Sequence, residues 1–128
     1  MIGPTRDLSK TEWSIMGICW RQGKCTARQV FEESLQQRHR SYQTIKTMLD
    51  RLADKGYLRK EKLGPLWLYQ PTISRSKLVA RAVENFVETV LDNTVSPLFV
   101  HLAQRETLSS AELDELRQLV QQAELRQQ

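Results

Sequence analysis

The side chains best suited to chemistry lie in one polar segment, residues 41–56. Apolar residues recur there at i, i+3, i+4 and i+7, which predicts a helix with one buried stripe: Ile45, Met48, Leu49 and Leu52. At about 100° per residue, Gln43 and Thr47 lie opposite this stripe, and Thr44 and Lys46 flank them. Amide, hydroxyl and ammonium groups on an exposed helix face can hydrogen-bond to base edges and phosphates in a major groove. The pattern therefore favours binding to DNA.

Basic residues are concentrated in the same part of the chain. Residues 1–75 contain 14 Lys and Arg against 7 Asp and Glu, whereas residues 76–128 contain 5 against 8. Because phosphate contacts dominate the affinity of proteins for nucleic acids, a basic first half favours a polyanionic partner. Charge alone is weak support, since many solvated surfaces are basic, but here it coincides with the polar helix face.

Three helices and a hairpin are predicted to position this face. Capping-box spacing begins the first helix at Ser9 and the second at Thr26, and Ser41 caps the third, which runs to about Lys55. Two strand-like runs then form a hairpin: Tyr57–Leu63 and Leu66–Gln70, joined at Gly64 and Pro65. This order predicts a winged helix-turn-helix domain over residues 1–72, although an unrelated small α+β domain also fits. The predicted fold class is mainly α with a small β-hairpin.

The second half of the chain is predicted to be helical and to lack a core of its own. A helix begins at Ser74 and reaches about Asn93, Ser96-Pro97 interrupts the pattern, and a capping box at Ser109 begins a last helix. Such amphipathic helices need a partner surface, and symmetric dimers are the commonest oligomers. Residues 73–128 are therefore predicted to be a helical dimerisation domain, with folding back onto the first domain as the alternative. The predicted dimer contacts are apolar: Val79, Val83, Phe86, Val90, Leu98, Leu102, Leu116 and Val120.

No motif in the sequence supports catalysis, a metal site or a cofactor. The five glycines form neither a phosphate-binding loop nor a nucleophile elbow, and His39 and His101 lie near no matching Ser or Cys motif. Cys19 and Cys25 form no C-x-x-C pair, which predicts free thiols, buried at Cys19 and half-exposed at Cys25. We therefore expect neither an enzyme nor a bound metal or cofactor.

The apolar runs of the sequence are short. A membrane-spanning helix needs about 20 apolar residues, and a signal peptide needs an apolar core near the N-terminus. The sequence has neither feature, so we expect a cytoplasmic protein without membrane insertion.

Four segments follow the patterns of one known family. Leu8–Met16 with Cys19-Trp20 is similar to the opening L-[ST]-x-x-E…M…[IL]-W, and residues 41–56 are similar to the recognition-helix pattern T-[IV]-x-T-x-L-x-R-L-x-x-K-G. Tyr69–Pro71 is similar to a Y-x-P at the end of the hairpin, and residues 108–116 to the start of the last helix. From Leu8 to Leu125 the chain thus resembles the penicillinase-repressor (BlaI/MecI) family, which also includes copper-responsive (CopY-like) repressors.

This resemblance implies a homodimeric repressor that binds an inverted-repeat DNA operator, with an antibiotic-resistance or stress-response operon as its target. Thr44 and Thr47 occupy positions that contact DNA in the family, while Gln43 and Lys46 occupy variable positions that would tune the sequence read. Phosphate contacts are implied at Arg51 and at the N-terminus of the second helix, where backbone N–H groups favour anions. With the neighbouring polar and basic side chains, the predicted DNA contacts are Thr26, Arg40, Ser41, Tyr42, Gln43, Thr44, Lys46, Thr47, Arg51, Lys60 and Lys62.

Departures from the family pattern bear on the wing and on release from DNA. Pro65 stands where the family usually has a basic residue, so any phosphate contact of the wing would fall to Lys60 and Lys62. The better-known members are inactivated by cleavage of an Asn-Phe bond, and His101-Leu102 stands in that place here, which argues against the same proteolytic release. Any cleavage is predicted at His101-Leu102. The resemblance also suggests a membrane-bound sensor protease as a partner. No cysteine follows Cys25 in this sequence, so we do not expect the cysteine-rich metal-sensing tail of the copper branch.

A function of a different class stays open at this point. A winged helix can also serve as a protein-interaction module that binds no specific DNA. The basic first half argues against that alternative, and a salt titration distinguishes the two because DNA binding weakens steeply with salt.

Overall fold

The computed structural model describes residues 8–105 and 108–127. Its elements follow in chain order: α1 Lys10–Gln22, β1 Cys25–Thr26, α2 Ala27–Ser34, α3 Tyr42–Asp54, β2 Leu58–Leu63, β3 Leu66–Pro71, α4 Arg75–Thr89, α5 Ser96–Arg105 and α6 Ser110–Arg126. The chain divides into two compact units, one up to residue 85 and one from residue 86 onward. The domain boundary predicted between residues 72 and 73 stays a prediction, and α4 contributes residues to both units.

The first unit packs α1, α2 and α3 with a small sheet around one apolar core. Three residues of the stripe predicted for α3 are fully buried, and Met48 packs half-buried against them. The side chains buried in this core are Leu8, Ile15, Met16, Ile18, Cys19, Cys25, Ala27, Val30, Ile45, Leu49, Leu52, Tyr57, Leu58, Tyr69, Ile73 and Leu78. This burial presses one side of α3 onto the core and leaves its polar side to solvent.

Reciprocal side-chain bonds begin the first two helices, as the spacing predicts. The Ser9 hydroxyl accepts from the Glu12 N–H at 3.1 Å, and the Glu12 carboxylate accepts from the Ser9 N–H at 2.9 Å. Thr26 and Gln29 form the same arrangement at the start of α2. Each pair satisfies two N–H groups that have no acceptor inside the helix, so it fixes the residue at which the helix begins.

The sheet has three antiparallel strands in the order β1-β3-β2, one more than the predicted hairpin. The additional strand is only two residues long, with Cys25 opposite Tyr69 and Thr26 opposite Leu68. The predicted half-exposure of Cys25 is wrong: pairing with β3 places its side chain in the core, fully buried, with Sγ 3.7 Å from the Tyr69 carbonyl oxygen.

The hairpin of β2 and β3 is regular up to its turn. Gly64 has a φ of +59° in the two-residue turn between Leu63 and Leu66, a conformation that residues with a Cβ avoid. Because side chains alternate along a strand, the register places two cross-strand pairs on one face of this wing: Lys60 with Tyr69 and Lys62 with Trp67.

The second unit contains the end of α4 and the helices α5 and α6. The structure ends α4 at Thr89, earlier than predicted, and Asp92 and Asn93 then take φ values of +50° and +63°, which short polar residues tolerate. Pro97 lies in the first turn of α5, where a missing N–H costs no helical hydrogen bond. The break between the helices therefore lies before Ser96, and Ser96-Pro97, predicted to interrupt the pattern, instead begins a helix.

Large apolar side chains of the second unit remain exposed. None of the residues that the structure describes in α6 is buried. The exposed large apolar residues of this unit are Phe86, Val90, Val95, Phe99, Val100, Leu113, Leu119, Val120 and Leu125. No helix within residues 8–105 and 108–127 has the length and apolar character required to cross a membrane.

Candidate nucleic-acid interface

The N-terminal half of α3 presents the polar face that the sequence predicts. The side chains of Gln43, Thr44 and Thr47 are exposed, and Gln43 and Thr47 lie opposite the buried Ile45. Ser41 caps the helix through a 3.1 Å bond from the Thr44 N–H to its hydroxyl, and the two hydroxyl oxygens lie 2.9 Å apart. Ser41 and Thr44 therefore hold each other at the helix start, and Gln43 and Thr47 extend from it into solvent.

Aromatic and cationic side chains join α2 to α3 beside this face. The Arg28 guanidinium lies 4.7 Å from the centre of the Tyr42 ring and 5.5 Å from that of Phe31. The two rings meet edge to face at 5.9 Å. Tyr42 is thus half-buried and held in place. Arg28 is exposed in the first turn of α2. It is not among the DNA contacts predicted from the sequence, although its position close to the predicted phosphate contact at Thr26 indicates that it could be one.

A cleft of about 220 Å³ lies between the start of α2, the exposed side of α3 and the wing. Three of the predicted contacts line it together, namely Thr26, Tyr42 and Lys46, and Arg28 adds a second cation. The wing contributes the opposite wall: Pro65, Leu66, Trp67 and Tyr69. The fold thus brings Thr26, Tyr42 and Lys46 to one cleft, whereas the other predicted contacts of α3 do not line it.

The two lysines predicted to serve the wing lie along an indole ring. Lys60 Nζ is 4.8 Å and Lys62 Nζ 5.6 Å from the centre of the Trp67 ring. Cation–π contacts of this kind hold an ammonium group near the ring without neutralising it. The tip of the wing is apolar, with Leu63 62% and Leu66 53% exposed. Any phosphate contact of the wing therefore falls to its lysines rather than to its tip.

The carboxylate of Asp50 accepts hydrogen bonds from side chains of both α3 and the wing. It accepts from Lys46 Nζ at 3.2 Å, from Lys60 Nζ at 2.9 Å and from the Tyr69 hydroxyl at 2.6 Å. Burial alone would raise the pKa of Asp50, but the bonds from Tyr69, Lys60 and Lys46 hold it below its ordinary value. Burial and the Asp50 carboxylate both raise the pKa of Tyr69. Asp50 is therefore an anion at neutral pH, in contact with two of the predicted DNA-binding lysines.

The remaining predicted contacts occupy separate places. Arg40, just before α3, is half-buried and donates to the Thr11 hydroxyl of α1 at 3.3 Å. Arg51 is exposed on α3, one turn beyond Thr47. Within the described ranges, no group of three or more His, Cys, Asp or Glu residues could hold a metal ion.

Comparison with known proteins identifies the family of this chain. The model of the penicillinase repressor family matches residues 8–122. The chain belongs to the penicillinase repressor family. It is 29% identical to the methicillin resistance regulatory protein MecI of Mammaliicoccus sciuri over 94% of this chain and 98% of that one. It is 27% identical to the penicillinase repressor of Bacillus licheniformis over 90% of each chain.

The solved DNA-binding domain of the repressor BlaI has the same fold as the first unit. That solution structure matches with a TM-score of 0.53 and 32% sequence identity, and it covers 59% of this chain and 92% of its own. Family and fold together confirm the predicted resemblance, the winged-helix fold class and a DNA-binding transcriptional repressor rather than an enzyme. The roles assigned to individual residues stay predictions.

Proposed function

We propose that this repressor binds an inverted-repeat operator as a homodimer and blocks transcription by occupying it. The observation that carries the proposal is the exposed polar face of α3 beside a cleft lined with cations. Because two curated relatives are named as a methicillin resistance regulator and a penicillinase repressor, we propose an antibiotic-resistance operon as the target, with a stress-response operon as the second choice.

In the proposed complex, α3 enters the major groove with its N-terminal half towards the bases. Gln43, Lys46 and Thr47 read base edges, because amide, ammonium and hydroxyl groups match the donors and acceptors displayed there. Arg40 and Arg51 contact the DNA backbone on either side and set the register of the helix. The ring of Tyr42 is already fixed by Arg28, so its hydroxyl is available to the backbone at little entropic cost.

The proposed contacts of α2 and of the wing bind the phosphates that flank the groove. The start of α2 at Thr26 directs the positive end of its helix dipole into the cleft. Lys60 and Lys62 approach from the wing. A basic wall on each side of α3 would hold the helix in the groove whatever the base sequence.

Dimerisation is proposed through the helical segment of residues 73–128. Each of the eight predicted contacts is exposed or only partly covered in the single chain, which supports their use against another surface. A hollow of about 230 Å³ is lined mainly by Phe99, Leu102, Leu108, Leu116 and Leu119 and could accept apolar side chains of a second copy. Two linked half-sites raise the affinity through effective concentration, so separation of the copies would release the operator.

Proteolytic release by a membrane-bound sensor would require a conformational change at the cleavage position. The bond at the predicted position, His101-Leu102, lies inside α5. A protease binds its substrate in an extended conformation, so this helix would have to unfold locally before cleavage. Ligand-driven or protein-driven separation of the two copies would release DNA without that step.

The experiment is a binding titration of the full chain with DNA from upstream of its own gene and with a scrambled duplex, at two salt concentrations. We expect tighter binding to the upstream duplex, weakening as salt rises, and a complex with two chains per operator by sedimentation. Lys46→Ala and Thr47→Ala should each weaken operator binding about fivefold or more, because one base contact contributes about 1–3 kcal/mol. Lys77→Ala removes the same charge from α4, outside the proposed interface, and is the control.

The outcomes separate the alternatives. Unchanged operator affinity in both α3 variants would remove the assignment of α3 as the reading helix. Equal binding of the wild type to both duplexes would leave a DNA-binding protein without sequence specificity. Binding to neither duplex would favour a protein-interaction module instead.

A further inference from the structure

Two of the lysines in the proposed DNA interface are not free cations. Lys46 of α3 and Lys60 of the wing both donate to Asp50, at 3.2 and 2.9 Å, on different oxygens of the same carboxylate. The Tyr69 hydroxyl holds that carboxylate in position at 2.6 Å. Asp50 itself is a residue of α3 between the exposed Thr47 and Arg51, so its negative charge lies in the middle of the proposed interface.

A phosphate must compete with Asp50 for each of these lysines. The side chains are only partly covered, with exposed fractions of 31% for Lys46, 30% for Lys60 and 37% for Asp50, so DNA could reach all three. The competition affects the two kinds of complex differently. Binding to random DNA depends almost entirely on phosphate contacts, whereas operator binding also depends on base contacts made by side chains held at fixed positions.

We propose that Asp50 is a specificity-determining residue, which withholds Lys46 and Lys60 from non-operator phosphates and fixes Lys46 on the face that reads bases. The inference rests on the proposed function. A long lysine side chain tied to the residue four positions later on the same helix samples fewer rotamers, so it loses less entropy in a specific contact. Without Asp50, both lysines could reach phosphates of any sequence.

The test is Asp50→Asn, which keeps the size of the side chain and an acceptor for the Tyr69 hydroxyl but removes the charge. We expect the Kd for a scrambled duplex at about 0.1 M salt to fall at least about eightfold. One additional phosphate contact steepens the fall of log K with log salt by about 0.9. For salt at about 0.1 M, tenfold below a 1 M reference, this corresponds to about eightfold tighter binding. The operator Kd should change by a smaller factor, so that the ratio of the two Kd values falls at least about fivefold.

Asp54→Asn is the matched control. Asp54 is an exposed carboxylate one turn further along α3, and the substitution makes the same change in net charge. A general effect of charge would move the scrambled-duplex affinity equally in both variants. The proposal requires a larger gain and a steeper salt slope in Asp50→Asn than in Asp54→Asn.

Two further variants separate the charge of Asp50 from a packing role. Asp50→Glu retains the charge and should stay closer to the wild-type ratio than Asp50→Asn. Adding Lys60→Met to Asp50→Asn should remove part of the gain in scrambled-duplex affinity and lower the salt slope again, because a freed Lys60 supplies one of the new phosphate contacts. Thermal unfolding of each variant reports whether the wing and α3 remain folded.

The results distinguish this inference from the proposed function. If the wild type prefers its operator and Asp50→Asn shows the same ratio and salt slope as Asp54→Asn, Asp50 does not set specificity and only this inference fails. Equal effects of Asn and Glu at position 50 would also overturn it, since packing rather than charge would then be responsible. If the wild type shows no preference for its operator, the proposed function fails, and this inference fails with it.

Discussion

The Glu12 carboxylate joins the start of α1 to the end of α3, and its charge should contribute measurably to stability. Glu12 is a buried residue, and its carboxylate accepts from the Ser9 N–H at 2.9 Å and from Lys55 Nζ at 3.0 and 3.2 Å. Glu12→Gln retains an oxygen that can accept from Ser9, because Gln also serves in a capping box. The variant therefore removes mainly the ionic contact with Lys55.

The expected loss of stability in Glu12→Gln lies between the values known for surface and for buried ion pairs. Exposed pairs contribute about 0–1 kcal/mol, whereas removing one partner of a buried pair costs about 3–5 kcal/mol. Here the side chain of Glu12 is 10% exposed and that of Lys55 is 33% exposed. We therefore expect Glu12→Gln to lower the free energy of unfolding by about 1.5–2.5 kcal/mol.

Urea unfolding of the full chain, at one protein concentration, measures this loss. With an m value of about 1.5 kcal/mol/M, the midpoint should fall by about 1–1.7 M. Lys55 takes part in further interactions, so the loss of stability in Lys55→Met alone overestimates the energy of the ion pair with Glu12. The double-mutant cycle of Glu12→Gln and Lys55→Met removes those contributions and should give a coupling of at least about 1 kcal/mol.

The same stabilisation should depend on pH. Burial raises the pKa of Glu12, but the hydrogen bonds from Ser9 and Lys55 outweigh that effect and leave the pKa below its ordinary value. A carboxylate whose pKa is lower in the folded protein stabilises it above its unfolded pKa of about 4.3 and ceases to do so as the pH falls through the folded pKa. The difference between wild type and Glu12→Gln should thus shrink below about pH 4. A coupling below about 0.5 kcal/mol at pH 7, or a difference that stays constant down to pH 3.5, would refute this reasoning.

Two further predictions concern the core of the first unit. Because Cys19 and Cys25 are both fully buried, their thiols should react with Ellman's reagent only as the chain unfolds, and rapid reaction of one thiol per native chain would show that Cys25 is exposed after all. Trp20→Phe removes the 2.9 Å bond from the indole Nε1 to the Ile73 carbonyl oxygen and should cost about 1–2 kcal/mol in urea unfolding. A loss below about 0.3 kcal/mol would mean that solvent replaces this bond.

Local features of the sequence predict most of the first unit. Capping boxes depend on residues three positions apart, so Ser9 and Thr26 identify the starts of α1 and α2 without any knowledge of the rest of the chain. The apolar stripe of α3 identifies its buried side for the same reason, because the helical period relates residues three and four apart. The wing follows from Gly64, which permits a two-residue turn between two strand-like runs.

Features that depend on distant pairing are not readable in this way. Residues 25 and 26 are too few to show a strand pattern, and they form β1 only because β3, more than 40 residues later, lies beside them. The error about Cys25 follows directly, since its burial is a consequence of that pairing. The end of α4 is a similar case. No strong helix-stopping residue precedes Asp92 and Asn93, and the chain leaves the helix there through two left-handed residues.

The ion pairs of the candidate interface also combine a contact that the sequence predicts with contacts that depend on distant pairing. The spacing of four residues between Lys46 and Asp50 on one helix is visible in the sequence and suggests an ion pair. Lys60 and Tyr69 join that pair only because the hairpin register places both on the wing face that packs against α3. A count of basic residues therefore treats Lys46 and Lys60 as two free cations, whereas the fold gives them a shared counter-ion within the proposed DNA-binding surface. The residue types on this face indicate a nucleic-acid ligand, but how strongly each cation acts on a phosphate is a property of the tertiary structure.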